Sequence, residues 1–151
     1  MQVLLLEHPR KISMNRCNDI ANAPLLASLI SGYIAGVLKE QGHGVEIVEG
    51  YLEKLSYDEI REQIRSVKPQ LLGVHLVYQW RKDHELYNFL AELKGEGLIS
   101  HIVGYGFYPT FAYEEILRDC PALDAIILGE PEETFVELVQ AVSTGASLRA
   151  V

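Results

Sequence analysis

The sequence predicts a doubly wound α/β domain built on a five-stranded parallel sheet, and three observations predict it. Short apolar runs of strand length alternate with amphipathic stretches of helix length along the chain. The apolar runs are continuous, as expected of strands that are buried on both faces. Glycine or proline separates most of the successive elements. Strands joined by helical crossovers favour a three-layer, flavodoxin/Rossmann-like sandwich with strand order 2-1-3-4-5.

A long polar loop separates the first strand from the first helix. Val3–Leu6 is a continuous apolar run and predicts the first strand, and residues 7–22 form the loop after it. Apolar residues recur at three- and four-residue spacing over Leu25–Leu38 and predict an amphipathic helix. A glycine-rich turn ends this helix, so Val45–Val48 is expected to be the second strand.

The later elements continue the alternation. Ser56 begins the second helix, because Ser56 and Glu59 have the spacing of a capping box, and the helix is expected to end at Val67 before a proline. The remaining predicted elements are a strand at Leu71–Val77, a helix at Asp83–Lys94, a strand at Ile99–Val103, a short helix at Ala112–Arg118, a strand at Asp124–Leu128 and a helix at Glu132–Val142.

The length of the chain, 151 residues, suits one domain. We expect this domain to span residues 1–142. Residues 143–151 are rich in small and hydroxyl side chains and predict the start of a linker to a further C-terminal domain.

Composition and charge argue against several classes of function. The net charge of −8 opposes binding to nucleic acid or anionic lipid. No apolar run approaches the ~18–20 residues of a membrane span. The two cysteines, Cys17 and Cys120, form no C-x-x-C pair and cannot alone build a zinc site or an iron–sulfur cluster. So few cysteines without a signal peptide indicate a cytoplasmic protein.

The predicted architecture indicates where a ligand would bind. Ligands of doubly wound domains lie beyond the carboxyl ends of the strands, near the switch point between the first and third strands. His8 follows the first strand at this end and is the one histidine that we retain as a site candidate. Tyr78 and Gln79 follow the third strand. His75, inside the third strand, is interpreted as a satisfied core residue.

The segment after the fourth strand is the richest in site signals. Gly104 and Gly106 bracket Tyr105, and Thr110 follows shortly after. Glycines here allow the backbone to turn sharply and to approach a flat ligand closely. The alternative is an ordinary turn whose aromatic side chains fill a gap.

The turn before the last helix is a weaker candidate. Gly129 and Glu130 stand where a helix N-terminus presents free N–H groups to a ligand. The alternative is that glycine serves the turn and the acidic side chain complements the helix dipole. The chain contains no G-x-S-x-G elbow and no G-x-x-x-x-G-K-[ST] phosphate loop, and no G-x-G-x-x-G follows the first strand.

Five segments of the chain share their order and spacing with one known family. They are Leu38–Ile47, Ser56–Ile60, Lys68–Val74, Val103–Thr110 and Leu128–Phe135. Together they resemble the N-terminal cobalamin (vitamin B12)-binding domain of cobalamin-dependent radical S-adenosylmethionine enzymes. The D-x-H-x-x-G motif of methionine-synthase-type cobalamin modules is absent, and so is the C-x-x-x-C-x-x-C of the radical domain.

The resemblance implies that cobalamin lies over the carboxyl ends of the strands, with its nucleotide tail running towards the sheet. It implies ring or tail contacts for the glycine-rich loop, the turn before the last helix and the loop after the third strand. With the candidates found above, the cofactor-binding set is His8, Tyr78, Gln79, Gly104, Tyr105, Gly106, Thr110, Gly129 and Glu130.

The resemblance also implies a partner domain. A C-terminal radical S-adenosylmethionine domain of the same polypeptide would hold a 4Fe-4S cluster and S-adenosylmethionine, and would act on a small-molecule substrate as a methyltransferase or cyclase. This chain alone would then contain no catalytic residue.

Two other readings compete with a cobalamin module. A domain of this fold that no longer binds the cofactor would serve as a docking or structural part, and the bulky Tyr105 and Trp80 motivate this alternative. A response-regulator receiver shares the topology. It needs paired acids after the first strand, an aspartate after the third and a lysine after the fifth, which this sequence does not supply.

Overall fold

The computed structural model describes residues 1–10, 28–77 and 83–146 and confirms the predicted fold. Five parallel strands form one sheet in the order β2-β1-β3-β4-β5. The strands are β1 (Gln2–Glu7), β2 (Gly44–Glu49), β3 (Leu71–His75), β4 (His101–Tyr105) and β5 (Ala125–Ile126). The helices of the described residues are α1 (Leu29–Glu40), α2 (Tyr57–Val67), α3 (His84–Gly95), α4 (Phe107–Asp119) and α5 (Glu132–Thr144).

The central strand β1 is buried on both faces, which explains its continuous apolar run. Val3 and Leu5 join an apolar cluster that includes residues of α1 and α5. Leu4 and Leu6 join the cluster on the opposite face, which includes residues of α2, α3 and α4. All four side chains are fully buried. The helices therefore form two layers with the sheet between them.

The start of α2 confirms the capping box read from the sequence. The Glu59 amide donates to Ser56 Oγ at 3.2 Å, and the Ser56 amide donates to Glu59 Oε2 at 2.8 Å. These bonds satisfy backbone donors that the first helical turn leaves unpaired. The helix ends at Val67, as predicted, and Lys68 then takes a left-handed conformation.

The predicted position of the fourth strand was wrong by two residues. The strand is His101–Tyr105, because its ladder with β3 pairs Leu71 with His101 and His75 with Tyr105. The predicted loop over residues 104–110 is accordingly mostly regular structure. Gly104 and Tyr105 belong to β4, and α4 begins at Phe107 with a kink at Ala112.

The other boundaries differ from the predictions by a few residues. The third strand ends at His75, two residues early, and α5 extends to Thr144, two residues late. The predicted start of the first helix, Leu25, lies outside the described residues; Ser28 caps the helix that is described. The predicted division at residue 142 stays a prediction. No helix in the described ranges has the length and apolarity that a membrane crossing requires.

Gly73 in β3 tests how tightly the sheet packs on α5. A Cβ atom at this position would lie 2.8 Å from Leu5 Cδ2 and 2.8 Å from Phe135 Cζ. We expect Gly73→Ala to lower the free energy of unfolding by roughly 1–3 kcal/mol, because an added methyl group overpacks this site. Equilibrium urea unfolding measures the change.

Gly36→Ala is the matched control for this substitution. Gly36 is exposed in α1, and a Cβ atom there would meet nothing within 4 Å. We expect this variant to gain roughly 0.5–1 kcal/mol, since alanine suits a helix interior better than glycine. A Gly73→Ala chain as stable as the wild type would contradict the packing described here.

Candidate functional site

The carboxyl ends of β1 and β3 bring two polar side chains together. These strands are neighbours in the sheet although β2 and two helices separate them in the chain, so the switch point of the fold lies beside them. The register pairs Leu6 with Val74, which places Glu7 next to His75 at the last position of each strand. This is the edge of a doubly wound sheet where ligands bind.

Glu7 is the centre of a buried hydrogen-bonded cluster, which we call the edge network: Glu7, Arg10, Ser31, His75 and Tyr105. The Glu7 carboxylate receives Ser31 Oγ–H at 2.7 Å and Arg10 Nη2–H at 2.9 Å. His75 Nδ1 lies 2.8 Å from the same carboxylate. Only 2 % of the Glu7 side chain is exposed, so these partners replace the water that the charge loses.

The charge on Glu7 sets the direction of every bond in the edge network. Burial alone raises the pKa of Glu7, but the hydrogen bond and charge of His75, with the hydroxyls of Ser31 and Ser28, lower it to about 2. An ionised carboxylate only accepts hydrogen bonds, so Ser31 donates to it. Tyr105 Oη lies 2.6 Å from Ser31 Oγ and must then donate to Ser31. Burial, followed by the charge of Glu7, raises the pKa of Tyr105, which keeps this phenol protonated.

Tyr105 fills the space directly beneath the carboxyl edge. Its side chain is fully buried in the cluster formed with α1 and α5. The ring stacks on His75 with centroids 5.3 Å apart, and it meets the Phe135 ring edge-on at 5.4 Å. Tyr105, which the sequence analysis names as a cofactor-binding candidate, is therefore buried beneath the carboxyl edge.

Thr110 joins two of the candidate turns. Its hydroxyl donates to the Gly106 carbonyl at 2.9 Å and accepts from the Gly129 amide at 3.0 Å. Gly106 has φ of 121° and Gly129 has φ of 76°, conformations that favour glycine. The structure therefore brings Gly106, Thr110 and Gly129 together, with the exposed Glu130 beside them.

Two other candidates lie inside the protein. Gly104 is within β4, where a Cβ atom would lie 2.8 Å from Leu76 Cδ1, so its missing side chain makes room for core packing. His8 is 1 % exposed, and its Nδ1 lies 3.0 Å from the Pro9 carbonyl and 3.6 Å from Asp83 Oδ2. Their roles towards a cofactor stay predictions.

Sequence reasoning missed the acceptor at the centre of the site. The sequence pattern places Glu7 in a polar loop and His75 in the core, and it does not single out Ser31. A charged residue that ends an apolar strand was the available signal for Glu7. Tyr78 and Gln79 lie outside the described residues.

Large apolar side chains are exposed at the same end of the sheet. Each helix begins where the preceding strand ends, so the first turns of α1 and α4 lie at the carboxyl edge. Phe107 and Phe111 of α4 are 78 % and 87 % exposed, Leu29 of α1 is 69 % exposed, and Leu128 after β5 is 50 % exposed. We call these four residues the apolar rim. Several large exposed apolar side chains at one end of a domain are typical of a binding surface.

Comparison with known proteins places the chain among cofactor-binding domains. The sequence profile of the B12 binding domain family matches residues 29–139. The chain is 30% identical over 151 residues to "Uncharacterized methyltransferase PH0819" of Pyrococcus horikoshii, covering 100% of this chain and 31% of the relative. It is 32% identical over 114 residues to "Anaerobic magnesium-protoporphyrin IX monomethyl ester cyclase" of Rubrivivax gelatinosus, covering 75% of this chain and 20% of the relative.

One solved structure shares the fold over almost the whole chain. It is the cobalamin-dependent S-adenosylmethionine radical enzyme OxsB with aqua-cobalamin bound, at a TM-score of 0.76 and 20% identity. The superposition covers 97% of this chain and 19% of OxsB. At this identity the likeness shows the fold. The chain spans less than a third of the length of each of these three proteins.

His8 predicts a pH dependence of stability. Burial lowers the pKa of His8 from 6.5 to about 4, although the Asp83 carboxylate opposes this shift. As the pH falls, His8 is protonated near pH 6.5 in the unfolded chain but only near pH 4 in the folded chain. Between these two pH values the unfolded state binds more protons, so the free energy of unfolding falls as the pH falls. The loss amounts to about 3 kcal/mol at most. Urea unfolding between pH 7 and pH 4 measures it.

Substitution of His8 separates its contribution to the pH dependence of stability from the contribution of the carboxylates. We expect His8→Gln to flatten the dependence above about pH 5.5, where Glu7 is mostly ionised in both the folded and the unfolded state. His101→Gln, at the opposite end of the sheet, should leave the slope unchanged. An identical slope in wild type and His8→Gln would contradict the assignment.

The Tyr105–Ser31 bond predicts a non-additive pair of substitutions. Ser31→Ala leaves the buried Tyr105 hydroxyl without its partner and should cost roughly 1–3 kcal/mol. In a Tyr105→Phe background the same change should cost less, because no phenol remains to be satisfied. A double-mutant cycle measured by urea unfolding gives the coupling, and strictly additive losses would argue against the bond.

Proposed function

Because the chain belongs to the B12 binding domain family, we propose that it binds cobalamin at the carboxyl edge of its sheet. The match of the family profile to residues 29–139 carries this proposal, since it runs from the first residue of α1 into α5. The position of the site is supported by the general rule for doubly wound sheets.

The side chains at this edge suit a corrinoid in their chemistry. A corrin is a large flat ring whose periphery carries amide groups, so it requires apolar contact area and a few hydrogen-bonding groups. The exposed Phe107, Phe111 and Leu128 supply apolar area. The exposed carboxylate of Glu130 supplies an acceptor for amide N–H groups.

The protein's part in this function is to bind and orient. Cobalamin, when bound, supplies a cobalt centre that carries a methyl group or exchanges electrons, and the protein holds it against its reaction partner. Thr110 fixes the turn at Gly106 against the turn at Gly129. At the same edge, the bonds of Glu7 to Arg10, Ser31 and His75 fix the ends of β1 and β3 and the start of α1.

We further infer that the chain is the cobalamin module of a longer radical S-adenosylmethionine enzyme, a methyltransferase or cyclase. A C-terminal domain of the same polypeptide would hold the 4Fe-4S cluster, S-adenosylmethionine and the small-molecule substrate. The names of the two relatives and the small share of their length that this chain spans support this inference. The low cysteine content supports a cytoplasmic location.

A second candidate function is a docking domain that keeps the fold without the cofactor. One observation favours it: the fully buried Tyr105 ring occupies the space beneath the edge and is hydrogen-bonded there. A nucleotide tail could then reach the interior only if this ring moved.

Titration with hydroxocobalamin separates the two functions. For a cobalamin module we expect the folded chain to retain an equimolar amount of the cofactor through gel filtration, measured by visible absorbance. A folded, monodisperse chain that emerges colourless would support the docking function instead.

The double substitution Phe107→Ala with Phe111→Ala tests the apolar rim. Both side chains are mostly exposed, so the fold should survive, whereas affinity for cobalamin should fall by about tenfold or more as apolar contact is lost. Leu117→Ala, two turns along α4 and away from the edge, is the control and should bind like the wild type. Unchanged affinity for cobalamin in the double variant would contradict a contact between the corrin ring and α4.

A further inference from the structure

The end of the domain formed by α4, β5 and α5 carries most of the negative charge of the chain. Residues 107–146, which we call the β5 end, contain eight acidic side chains and one basic side chain, a net charge of −7. The whole chain has a net charge of −8, so the rest of it is close to neutral. A surface with one sign of charge favours association with a partner of the opposite sign.

Exposed apolar side chains concentrate at the same end. Of the nine large apolar side chains that are exposed in the described part of the chain, five belong to the β5 end. Phe107, Phe111 and Leu128 are members of the apolar rim. Tyr113 and Leu117 lie further along α4 and are 39 % and 36 % exposed, so the apolar surface continues from the rim down this helix. Acidic side chains alone would serve solubility, whereas exposed apolar area beside them is typical of an interaction surface.

The apolar and acidic groups of the β5 end adjoin on α4. Tyr113 and Leu117 are four residues apart, so they share one face of the helix. The Tyr113 hydroxyl donates to Glu114 at 3.2 Å. Thr110 ties the start of the same helix to the β5–α5 turn through the Gly129 amide at 3.0 Å. No further strand pairs with the outer side of β5 in the described ranges.

The chemistry of the β5 end restricts the kind of partner. A second copy of the chain would bring two surfaces of charge −7 together, which opposes association. Nucleic acid and anionic lipid carry the same sign of charge and are repelled. Strand addition needs a longer edge than β5 offers, since Ala125–Ile126 is only two residues long. A helix can instead pack along α4, with apolar side chains on Tyr113 and Leu117 and cationic side chains towards the acidic groups.

We propose that the β5 end docks a basic amphipathic helix of a partner protein. The apolar stripe of that helix contacts Tyr113 and Leu117. Its lysine and arginine side chains meet exposed carboxylates of the β5 end, such as Glu114 and Glu133. The inference goes beyond the proposed function, because it requires neither bound cobalamin nor a further domain of the same polypeptide.

Binding of two designed peptides tests the proposal. One peptide of about 18 residues carries leucine along one helical face and lysine elsewhere, and the second carries glutamate in place of lysine. Each peptide is added to the cofactor-free, 15N-labelled chain, and 1H–15N correlation spectra identify the amides that shift. We expect the lysine peptide to shift amides of α4 and of the β5–α5 turn, and the glutamate peptide to leave the spectrum unchanged.

A pair of substitutions tests the apolar strip on α4. Tyr113→Ser with Leu117→Ser should lower affinity for the lysine peptide by about tenfold or more, measured by fluorescence anisotropy. Tyr33→Ser with Leu52→Ser is the matched control, because these side chains are 57 % and 43 % exposed and lie outside the β5 end. The control should bind like the wild type. In the wild type, raising NaCl from about 50 mM to about 500 mM should weaken binding by about tenfold, so the test stands even if the Tyr113 and Leu117 variant does not fold.

Several results would overturn the proposal. Amide shifts outside the β5 end, or an equal loss of affinity in the two substituted chains, would place the peptide elsewhere. Equal binding of both peptides would remove charge as the basis of recognition. Sedimentation velocity should show a monomer, and a dimer that Tyr113→Ser with Leu117→Ser abolishes would assign the surface to a second copy. These measurements use no cobalamin, so their failure leaves the proposed function in place.

Discussion

The buried carboxylate of Glu7 is the constraint on which the carboxyl edge of this domain depends. A charge that is withdrawn from water must be compensated by donors, or it destabilises the fold by several kcal/mol. Here the donors come from three different places: Ser31 on α1, His75 on β3, and Arg10 just after β1. One group therefore fixes the start of a helix, the end of a neighbouring strand and the beginning of a loop. Tyr105 extends the same network to β4 through Ser31.

The site has two parts, the buried edge network and the exposed apolar rim. In the buried part, the Tyr105 ring packs against the rings of His75 and Phe135. The apolar rim is exposed, and Phe107 and Phe111 are its most exposed members. Such a division suits the proposed binding of a large flat cofactor. The cofactor supplies the reactive centre, and the protein needs to supply position.

The match to the B12 binding domain family and the candidate site depend on different features of the chain. The family match rests on a pattern of elements over residues 29–139. The site rests on a few side chains at one edge, and two of these, Glu7 and His75, are polar residues at the ends of otherwise apolar strands. Polar residues at such positions require a partner. The partner here is the other strand end, and this makes the edge a preorganised unit before any ligand binds.

The sequence by itself determined the order of the elements, the parallel sheet and its topology, because hydrophobic periodicity and helix caps are local signals. Ser56 with Glu59 shows this at the scale of one turn. Only the tertiary structure decided that β4 includes Tyr105, since pairing with β3 sets that register. Only it joined Glu7 to His75, which lie 68 positions apart in the chain. The predicted strand order already made β1 and β3 neighbours, but their contact also depends on the register that pairs Leu6 with Val74, and no local pattern encodes that register.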